Sequence, residues 1–454
     1  MSRVCVIGAG SSGIASGQVL HARGIPFDCF EAGSAVGGNW RYNNDNGMSA
    51  AYRSLHAKSS RQGMQYAAFP MPDSYPTYLG HELIAQYLDA FVDHYGFRDR
   101  IQFRTEVVAV APARAGSWDV TVRQRGDGAE RTERYSAVLV ANGHHWDPRY
   151  PNVPGAVTFR GQMMHSRHYR TPEPFAGRRV LVLGIGNSGC DIATEVSQVA
   201  ERTLLAIRCG AHIVPKYLFG RPTDHLTLMR FGAMTPVWLQ RLAVSWLVRI
   251  SVGRGSRHGL PKPDHRMLDI PPTVSDTLPT RLDHGDIAVK PGVAEFGRDR
   301  VLFTDGSAER VDVVVCCTGY KISFPFLDAA VAGPDHLPLF RRVASPTFHG
   351  LYFIGLVQPI GSVMPIAEAQ SHWVADLIEG RALLPPPPEM NREIARYRAT
   401  IARRHAQSRR DAIQVDFQSY LRQIRLERRA GAKRRVRLGR RRPGNFLGRV
   451  DPGP

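Results

Sequence analysis

The sequence predicts an α/β fold made of two Rossmann-like dinucleotide-binding domains, each with a parallel central sheet. Two copies of one pattern carry this prediction. An apolar run at 3–7 leads into a glycine-rich loop, a helical stretch and a second apolar run at 26–30. The same order begins again at residue 179 and ends with an apolar run at 203–207. A strand, a glycine turn, a helix and a further strand are typical of a parallel sheet.

The ends of two later apolar runs predict how these units are connected. The runs at 137–141 and 311–317 lead into the glycine turns Asn142-Gly143-His144 and Thr318-Gly319-Tyr320, where the chain could cross between domains. The second unit is then inserted in the first. The predicted divisions are 1–155 plus 317–390, the inserted 156–316 with an apolar helical insert at 225–253, a C-terminal helical segment at 391–427, and a basic tail at 428–454. The charge density of this tail predicts disorder.

The first glycine loop has the residues that a bound pyrophosphate requires. Gly8 permits the tight turn, Gly10 lets the backbone approach the phosphates, and Gly13 allows the helix to pack closely on the strand. Backbone N–H groups at the helix start, near Ser11, face the anion. Glu31 ends the second strand, where a carboxylate can accept from both ribose hydroxyls and repels a 2′-phosphate. This loop therefore predicts FAD or NAD.

The second loop differs from the first at the end of its second strand. Its residues are Gly184, Gly186, Asn187, Ser188 and Gly189. Arg208 lies where an acid would favour NAD, and its guanidinium can pair with a 2′-phosphate. Lys216 is a candidate to assist. One glutamate-type and one arginine-type site predict two cofactors, FAD on 1–155 plus 317–390 and NADPH on 156–316, with hydride passing from the nicotinamide to the flavin.

A motif between the loops resembles the FxGxxxHxxx(Y/F) fingerprint of flavin-containing monooxygenases. It is carried by Phe159, Gly161, His165 and Tyr169. Supporting stretches occur in the order typical of that family: Gly37-Gly38-Asn39-Trp40, Thr318-Gly319-Tyr320, and Leu356 to Gly361 with Gln358, followed by Glu368. The resemblance covers about residues 1–425. It implies that Gly38, Trp40, Thr318, Gly319 and Gln358 also belong to the cofactor sites.

The resemblance implies a flavin-dependent monooxygenase. NADPH reduces FAD, O₂ adds at the flavin C4a, and the resulting hydroperoxyflavin oxygenates a soft nucleophile, nitrogen or sulfur, of a small organic substrate. Such an intermediate needs a dry pocket, or it collapses to H₂O₂. Typical Baeyer–Villiger enzymes, which act on ketones, end the fingerprint in Trp, so Tyr169 favours N- or S-oxygenation. A Baeyer–Villiger enzyme and a largely uncoupled NADPH oxidase are the alternatives.

Three residues are the candidate catalytic groups: Lys58, Ser59 and His165. Many relatives in the resembled family have Asn at the position of Lys58, where the amide contacts the flavin peroxide. Lys58 offers only donors and adds a charge. It could stabilise the peroxide, steer an acidic substrate, leak peroxide, or point elsewhere. His165 lies either near the cofactors or, as a hydrogen-bonded linker histidine, fixes the domain geometry.

The apolar insert contains a helix at 235–253 that begins with Thr235-Pro236. Gln240, Arg241, Ser245 and Arg249 form a narrow polar face, and the remaining face is broad and apolar with Trp238 and Trp246. Such a helix is typically buried under the rest of the fold. A substrate-tunnel wall, a homodimer contact and a peripheral membrane contact remain open.

Charge and cysteine content limit the partners. The chain has 59 Lys+Arg against 40 Asp+Glu, a net charge of +19, but residues 421–454 carry 12 of the basic residues and two acids. This distribution disfavours a nucleic acid as partner, and the main ligands are a small substrate and O₂. The six cysteines form no CxxC pair, and adjacent Cys316 and Cys317 point to opposite faces of a strand, which disfavours a disulfide reductase. No metal site is expected. Free thiols and the absence of an 18-residue apolar span predict a cytoplasmic protein.

Overall fold

The computed structural model describes residues 3–225, 237–252, 259–267, 269, 271–332, 337–404 and 413–440. The α-helices in these ranges are α1 (Ser11–Ala22), α2 (Arg61–Met64), α3 (His81–Tyr95), α4 (Asn187–Val196), α5 (Val237–Val252), α6 (Leu278–Asp283), α7 (Met364–Ile378), α8 (Pro387–Arg404) and α9 (Phe417–Arg440).

The strands up to residue 165 are β1 (Val4–Ile7), β2 (Phe27–Phe30), β3 (Ile101–Gln102), β4 (Thr105–Pro112), β5 (Trp118–Gln124), β6 (Glu130–Tyr135), β7 (Ala137–Val140), β8 (Asp147–Pro148) and β9 (Gln162–His165). The later strands are β10 (Arg179–Leu183), β11 (Arg202–Ala206), β12 (Ile213–Val214), β13 (Tyr217–Leu218), β14 (Arg221–Pro222), β15 (Thr273–Val274), β16 (Ile287–Lys290), β17 (Val293–Phe296), β18 (Arg300–Phe303), β19 (Ala308–Arg310), β20 (Val313–Cys316), β21 (Tyr320–Lys321), β22 (Leu351–Phe353), β23 (Gln358–Pro359) and β24 (Gln414–Val415).

Two five-stranded parallel sheets form the centre of the fold. The first has the strand order β22-β7-β1-β2-β3, and the second has the order β16-β11-β10-β20-β9. Strands β1, β7 and β20 are buried along their whole length. Burial on both faces explains why they are continuous apolar runs rather than alternating ones. The predicted α/β fold class with two parallel sheets is confirmed.

The two sheets are drawn from different parts of the chain. All strands of the second sheet lie between residues 162 and 316, whereas the first sheet takes four strands from 4–140 and then β22 at 351–353. The chain therefore leaves the first sheet after β7, builds the second sheet, and returns. Both glycine loops directly follow the carboxyl ends of their strands, β1 and β10, which is the side where ligands of such folds bind.

An antiparallel meander, β4-β5-β6, covers one face of the first sheet and was not predicted. Trp118, Val120 and Tyr135 pack from the meander against Val138 and Val140 of β7. The other face carries α1 and α7. These helices meet through Ser16 and Ser371, whose hydroxyl oxygens are 2.9 Å apart.

The predicted disorder from residue 428 is wrong for residues 428–440, which continue helix α9. Charge density alone suggested a solvated tail, but the basic side chains on one face have partners. Arg428 donates to Asp376 of α7 at 2.8 Å, and Arg434 donates to the Leu383 carbonyl at 2.9 Å and also contacts Glu427. Residues 441–454 lie outside the described residues.

Helix α5 of the apolar insert has both buried and exposed apolar residues among those whose side chains are described. Val248 packs against Val214, Leu218 and Met267. Leu239, Leu242, Trp246 and Ile250 are exposed at spacings of three and four residues, and so form one apolar stripe. The predicted helix start at Thr235-Pro236, with the rest of 226–236 and 253–258, lies outside the described residues. No helix in the described ranges is long and apolar enough to span a membrane.

Candidate active site

Both glycine loops border one cavity of about 700 Å³, a size usual for a cofactor or ligand site. Its wall includes most of the predicted site residues: Gly8, Gly10, Ser11, Glu31, Gly38, Trp40, Lys58, Ser59, Gly186, Asn187, Ser188, Gly319 and Gln358. Gly13, Gly184, Gly189, Thr318, His165 and Arg208 are not in this wall. The structure thus brings residues from two loops, far apart in sequence, to a shared cavity.

The first loop has the geometry that close approach of a ligand requires. Gly8 has φ +97°, a conformation that other residues rarely adopt. A Cβ on Gly13 would lie 1.7 Å from the Gly8 carbonyl oxygen, so only glycine lets α1 pack here. By contrast, a Cβ on Gly10 would meet only the Cα of Gly38, at 3.7 Å. Gly10 therefore leaves its side of the cavity open for a phosphate.

Glu31 is held in a fixed position at the end of β2. The residue is 4% exposed, and its Oε2 accepts from the Ala9 N–H at 2.8 Å. Its Oε1 accepts from the Gly33 N–H at 2.8 Å and from the Asn46 side-chain amide at 3.2 Å. A carboxylate has about four acceptor positions, so this one can also accept from ribose hydroxyls. Asn46 was not foreseen in the sequence.

The second loop has the same backbone features as the first. Gly184 has φ +107°, and a Cβ on Gly189 would lie 2.0 Å from the Gly184 carbonyl oxygen. A Cβ on Gly186 would have no neighbour within 4 Å. Asn187 is fixed because its Oδ1 accepts from the Val274 N–H at 2.9 Å. The residues present at both loops therefore fit dinucleotide phosphates.

Arg208 is the second residue after β11 and is exposed. Within the part of the chain that the structure describes, no carboxylate pairs with its guanidinium. It lies outside the cavity wall, next to Gly292, whose Cβ would be 3.8 Å from the Arg208 Cα. An exposed guanidinium without a carboxylate at the end of the second strand remains able to pair with an anion on the ligand. Lys216 is half-buried above the Tyr78 ring, 5.2 Å from its centroid.

Lys58 lies in the cavity wall, but its charge is compensated. Its Nζ is 2.8 Å from both Oδ1 and Oδ2 of Asp191 on α4. The hydroxyl of Tyr52 also donates to Asp191. Burial, and then the Asp191 carboxylate, raise the pKa of Tyr52 well above its usual value, so the phenol keeps its proton. Sequence analysis missed Asp191, although its position four residues after Asn187 puts it on the same face of the helix.

His165 does not reach the cavity, and both of its ring nitrogens are occupied. Nδ1 accepts from the Arg167 N–H at 3.1 Å, and Nε2 lies 2.9 Å from the Gly319 carbonyl oxygen, which can only accept. The neutral tautomer with a proton on Nε2 satisfies both contacts. This arrangement favours the second interpretation of His165, a linker histidine that fixes the returning chain. Thr318 has a similar place, since its hydroxyl donates to the Arg149 carbonyl.

His144 is a cavity residue that sequence analysis did not select. It lies in the wall after β7, next to His145 at a ring distance of 4.3 Å. Burial, and then His145, hold the pKa of His144 well below its usual value, so its imidazole is neutral. Within the described ranges no group of three or more His, Cys, Asp or Glu side chains could hold a metal ion.

The chain is similar over most of its length to known flavin-binding monooxygenases. The family model described as "Flavin-binding monooxygenase-like" matches residues 1–437. The chain is 36% identical over 431 residues to flavin-containing monooxygenase 5 of Oryctolagus cuniculus, an alignment that covers 91% of this chain and 80% of that protein. It is 35% identical over 409 residues to flavin-containing monooxygenase 3 of Homo sapiens, with coverage of 86% and 76%.

Solved structures show the same fold at lower identity. S-allyl-L-cysteine S-oxygenase from Allium sativum superposes with a TM-score of 0.70 at 24% identity, covering 97% of this chain and 94% of that one. Cyclohexanone monooxygenase with bound ε-caprolactone superposes with a TM-score of 0.70 at 18% identity, covering 95% and 98%. At these identities the likeness concerns the fold alone.

Proposed function

We propose, from the premise that the chain belongs to the flavin-binding monooxygenase-like family, that it uses NADPH to oxygenate a nitrogen or sulfur atom of a small organic substrate. The protein is a flavin-dependent monooxygenase of a family that uses FAD and NADPH. The observation that carries the proposal is a pair of loops with the same geometry on one cavity. The second strands of the two units are followed by residues of opposite charge, Glu31 and Arg208.

We assign FAD to the first loop and NADPH to the second. In this assignment Gly8, Gly10 and Ser11 hold the FAD pyrophosphate, and Glu31 accepts from the adenosine ribose. Bound FAD, once reduced, would supply the oxygenating group as a C4a-hydroperoxide formed with O₂. The protein contributes binding, orientation and the exclusion of water. No proton-transferring pair is assigned to the chain.

The second loop would hold NADPH through its backbone and through Arg208. Gly186, Asn187 and Ser188 start helix α4, where N–H groups attract a pyrophosphate. Arg208 would then pair with the 2′-phosphate, which NADH lacks. His165 and Thr318 would act indirectly, by fixing the chain segment that places Gly319 in the cavity wall.

The test is NADPH-driven O₂ consumption by the purified protein with a thioether, a tertiary amine and a cyclic ketone, with H₂O₂ measured in parallel. We expect bound FAD and a sulfoxide or N-oxide as the dominant product. An ester or lactone as the dominant product would reassign the chain to ketone oxygenation. Peroxide equal to the NADPH consumed, with each substrate, would make it an NADPH oxidase, and a protein that takes up no FAD would refute the proposal.

The exposed stripe on α5 supports a second proposal, a peripheral contact of this helix with an anionic membrane surface from the cytoplasmic side. Trp246 and three aliphatic residues, Leu239, Leu242 and Ile250, are exposed together on a chain with a net charge of +19. We expect the protein to sediment with vesicles of anionic lipid, and Trp246→Ser with Leu242→Ser to abolish this. Unchanged sedimentation of the double variant would refute the contact, and a parent dimer that the double variant lacks would instead identify a homodimer face.

A further inference from the structure

Helix α4 presents two acidic residues to a single segment of the first domain. Asp191 and Glu195 are four residues apart, and therefore lie on the same face of the helix. Asp191 holds Lys58 and Tyr52, while Glu195 accepts from Ser54 and, at 2.6 Å, from the Tyr169 hydroxyl. The first residues of the same helix, Asn187 and Ser188, border the cavity. Segment 52–58 is thus attached to the helix that begins at the second loop.

The Lys58–Asp191 pair is a neutralised cation in the cavity wall. Both side chains are mostly buried, with 20% and 17% of their surface exposed. Burial weakens the screening of a charge by water, so an uncompensated ammonium here would act strongly on nearby groups. Lys216 is such a neighbouring group. Burial, and then the Lys58 ammonium, lower the pKa of Lys216, whereas the carboxylates of Asp276 and Asp191 raise it. Asp191 therefore compensates a site that contains more than one lysine.

We propose that Asp191 is a positioning residue: it holds the Lys58 ammonium against helix α4 and cancels its charge, so that reducing equivalents reach the substrate rather than H₂O₂. This inference rests on the proposed monooxygenase function. In the coupled reaction NADPH, a proton, O₂ and the substrate give NADP⁺, water and the oxygenated substrate. In the uncoupled reaction NADPH, a proton and O₂ give NADP⁺ and H₂O₂, and no oxygen atom is transferred.

The experiment compares Asp191→Asn with the parent holoenzyme. The variant keeps the shape of the side chain but leaves Lys58 positively charged and unpaired. We expect the H₂O₂ formed per NADPH consumed to rise at least about threefold, within the range usual for breaking a contact between paired residues. Independently of turnover, we expect the midpoint potential of the bound flavin to become more positive, since an uncompensated cation favours the reduced anionic form.

Glu195→Gln is the matched control, because it removes an acid from the same face of α4 that binds no lysine. We expect it to leave the flavin potential and the peroxide fraction at the parent values. The double variant Lys58→Asn/Asp191→Asn removes both charges and should return both quantities toward the parent. Asp191→Asn indistinguishable from the parent, Glu195→Gln equal to Asp191→Asn, or a double variant no better than Asp191→Asn would overturn the proposal.

If Asp191→Asn does not yield folded protein, Lys58→Asn alone decides. It leaves an uncompensated carboxylate, so the flavin potential should move in the negative direction, and an unchanged potential would contradict the proposal. The parent separates this result from the function as a whole. A parent that binds FAD but oxygenates no substrate would refute the monooxygenase assignment, while the potentials of the variants would still report on Asp191.

Discussion

The two nucleotide-binding units share one loop geometry and differ in the residue that ends their second strand. In both loops the first glycine has a positive φ, the third glycine lets the helix pack on the loop, and the middle glycine leaves space toward the cavity. The residues at the ends of the second strands are opposites. Glu31 is buried and held by three donors, whereas Arg208 is exposed and, within the described chain, has no carboxylate partner.

This difference separates a preorganised site from an open one. The donors around Glu31 fix its carboxylate before any ligand binds, so the first unit loses little conformational freedom on binding. The Arg208 side chain must become ordered when it meets an anion, and a 2′-phosphate is such an anion. A cofactor that stays bound fits the first arrangement, and a cosubstrate that enters and leaves fits the second.

The largest expected effect comes from adding a methyl group to the third glycine of each loop, and it should differ between the two units. In Gly13→Ala and Gly189→Ala the new Cβ would overlap a backbone carbonyl oxygen, which must shift. We expect Gly13→Ala to abolish FAD retention, measured by flavin absorbance. Gly189→Ala should keep FAD but lose NADPH-driven flavin reduction.

Gly126→Ala is the control for both substitutions, because its Cβ would have no neighbour within 4 Å. It should retain both FAD and reduction by NADPH. If Gly189→Ala lost FAD while Gly13→Ala lost only reduction by NADPH, the assignment of the two loops would be reversed.

Glu31→Gln should weaken FAD binding because an amide cannot accept at both ends. Its NH₂ group would face the N–H of Ala9 or of Gly33, so a donor would meet a donor. Hydrogen bonds to a charged group contribute about 1.5–3 kcal/mol, so the Kd for FAD should rise roughly 10- to 100-fold. Titration of the apoprotein with FAD measures this change.

Asp45→Asn provides a comparison for Glu31→Gln, since Asp45 also accepts from a backbone N–H, that of Ser34, but in an exposed position outside the cavity wall. Its FAD affinity should equal that of the parent. Equal losses in both variants would mean that Glu31 acts only by supporting the loop.

Arg208→Gln should affect the second unit alone. In the proposed assignment, NADPH would lose a charge-assisted contact with the guanidinium that NADH, which has no 2′-phosphate, would not make. The preference for NADPH over NADH, measured as the ratio of kcat/KM values, should fall by about 10-fold or more. FAD content should not change. An unaltered preference would exclude Arg208 from the 2′-phosphate site and direct attention to Lys216.

The sequence was sufficient for the parts of the site that depend on local chain geometry. A strand, a glycine loop and a helix are specified by neighbouring residues, so Gly8 to Gly13 and Gly184 to Gly189 could be placed without a structure. Contacts between distant segments could not. Asp191 meets Lys58 because segment 52–58 lies against helix α4, more than 130 residues later in the chain, and no local pattern encodes that contact.

The C-terminal helix α9 is a second case in which a contact between distant segments decides the structure. The basic residues after 427 resemble a solvated tail when their charges are added up along the chain. The acid that receives Arg428, Asp376, lies on α7 and is visible only in three dimensions. The charge density of this segment therefore predicted disorder, and this prediction is wrong as far as residue 440.

The smallest expected effect concerns Asp376, which links helix α9 to the end of helix α1 in the first unit. Asp376 binds Arg23, the residue directly after α1, at 2.7 Å and Arg428 at 2.8 Å. Burial tends to raise the pKa of Asp376, but Arg428 and Arg23 together hold it below its usual value. A carboxyl with a lowered folded-state pKa stabilises the protein above its unfolded-state pKa, near 3.9, and this stabilisation disappears as the pH falls through the lower folded-state value.

Arg428→Gln should therefore reduce the free energy of unfolding by about 1 kcal/mol or less at neutral pH, as for other partly exposed ion pairs. The difference from the parent should shrink as the pH falls below the unfolded-state pKa of about 3.9, and it should disappear below the lowered folded-state pKa of Asp376. Arg429→Gln, its exposed neighbour, should match the parent at every pH. Denaturant unfolding at pH 7 and at low pH measures both. A pH-independent difference would show that Arg428 stabilises α9 by packing and not through its ion pair with Asp376.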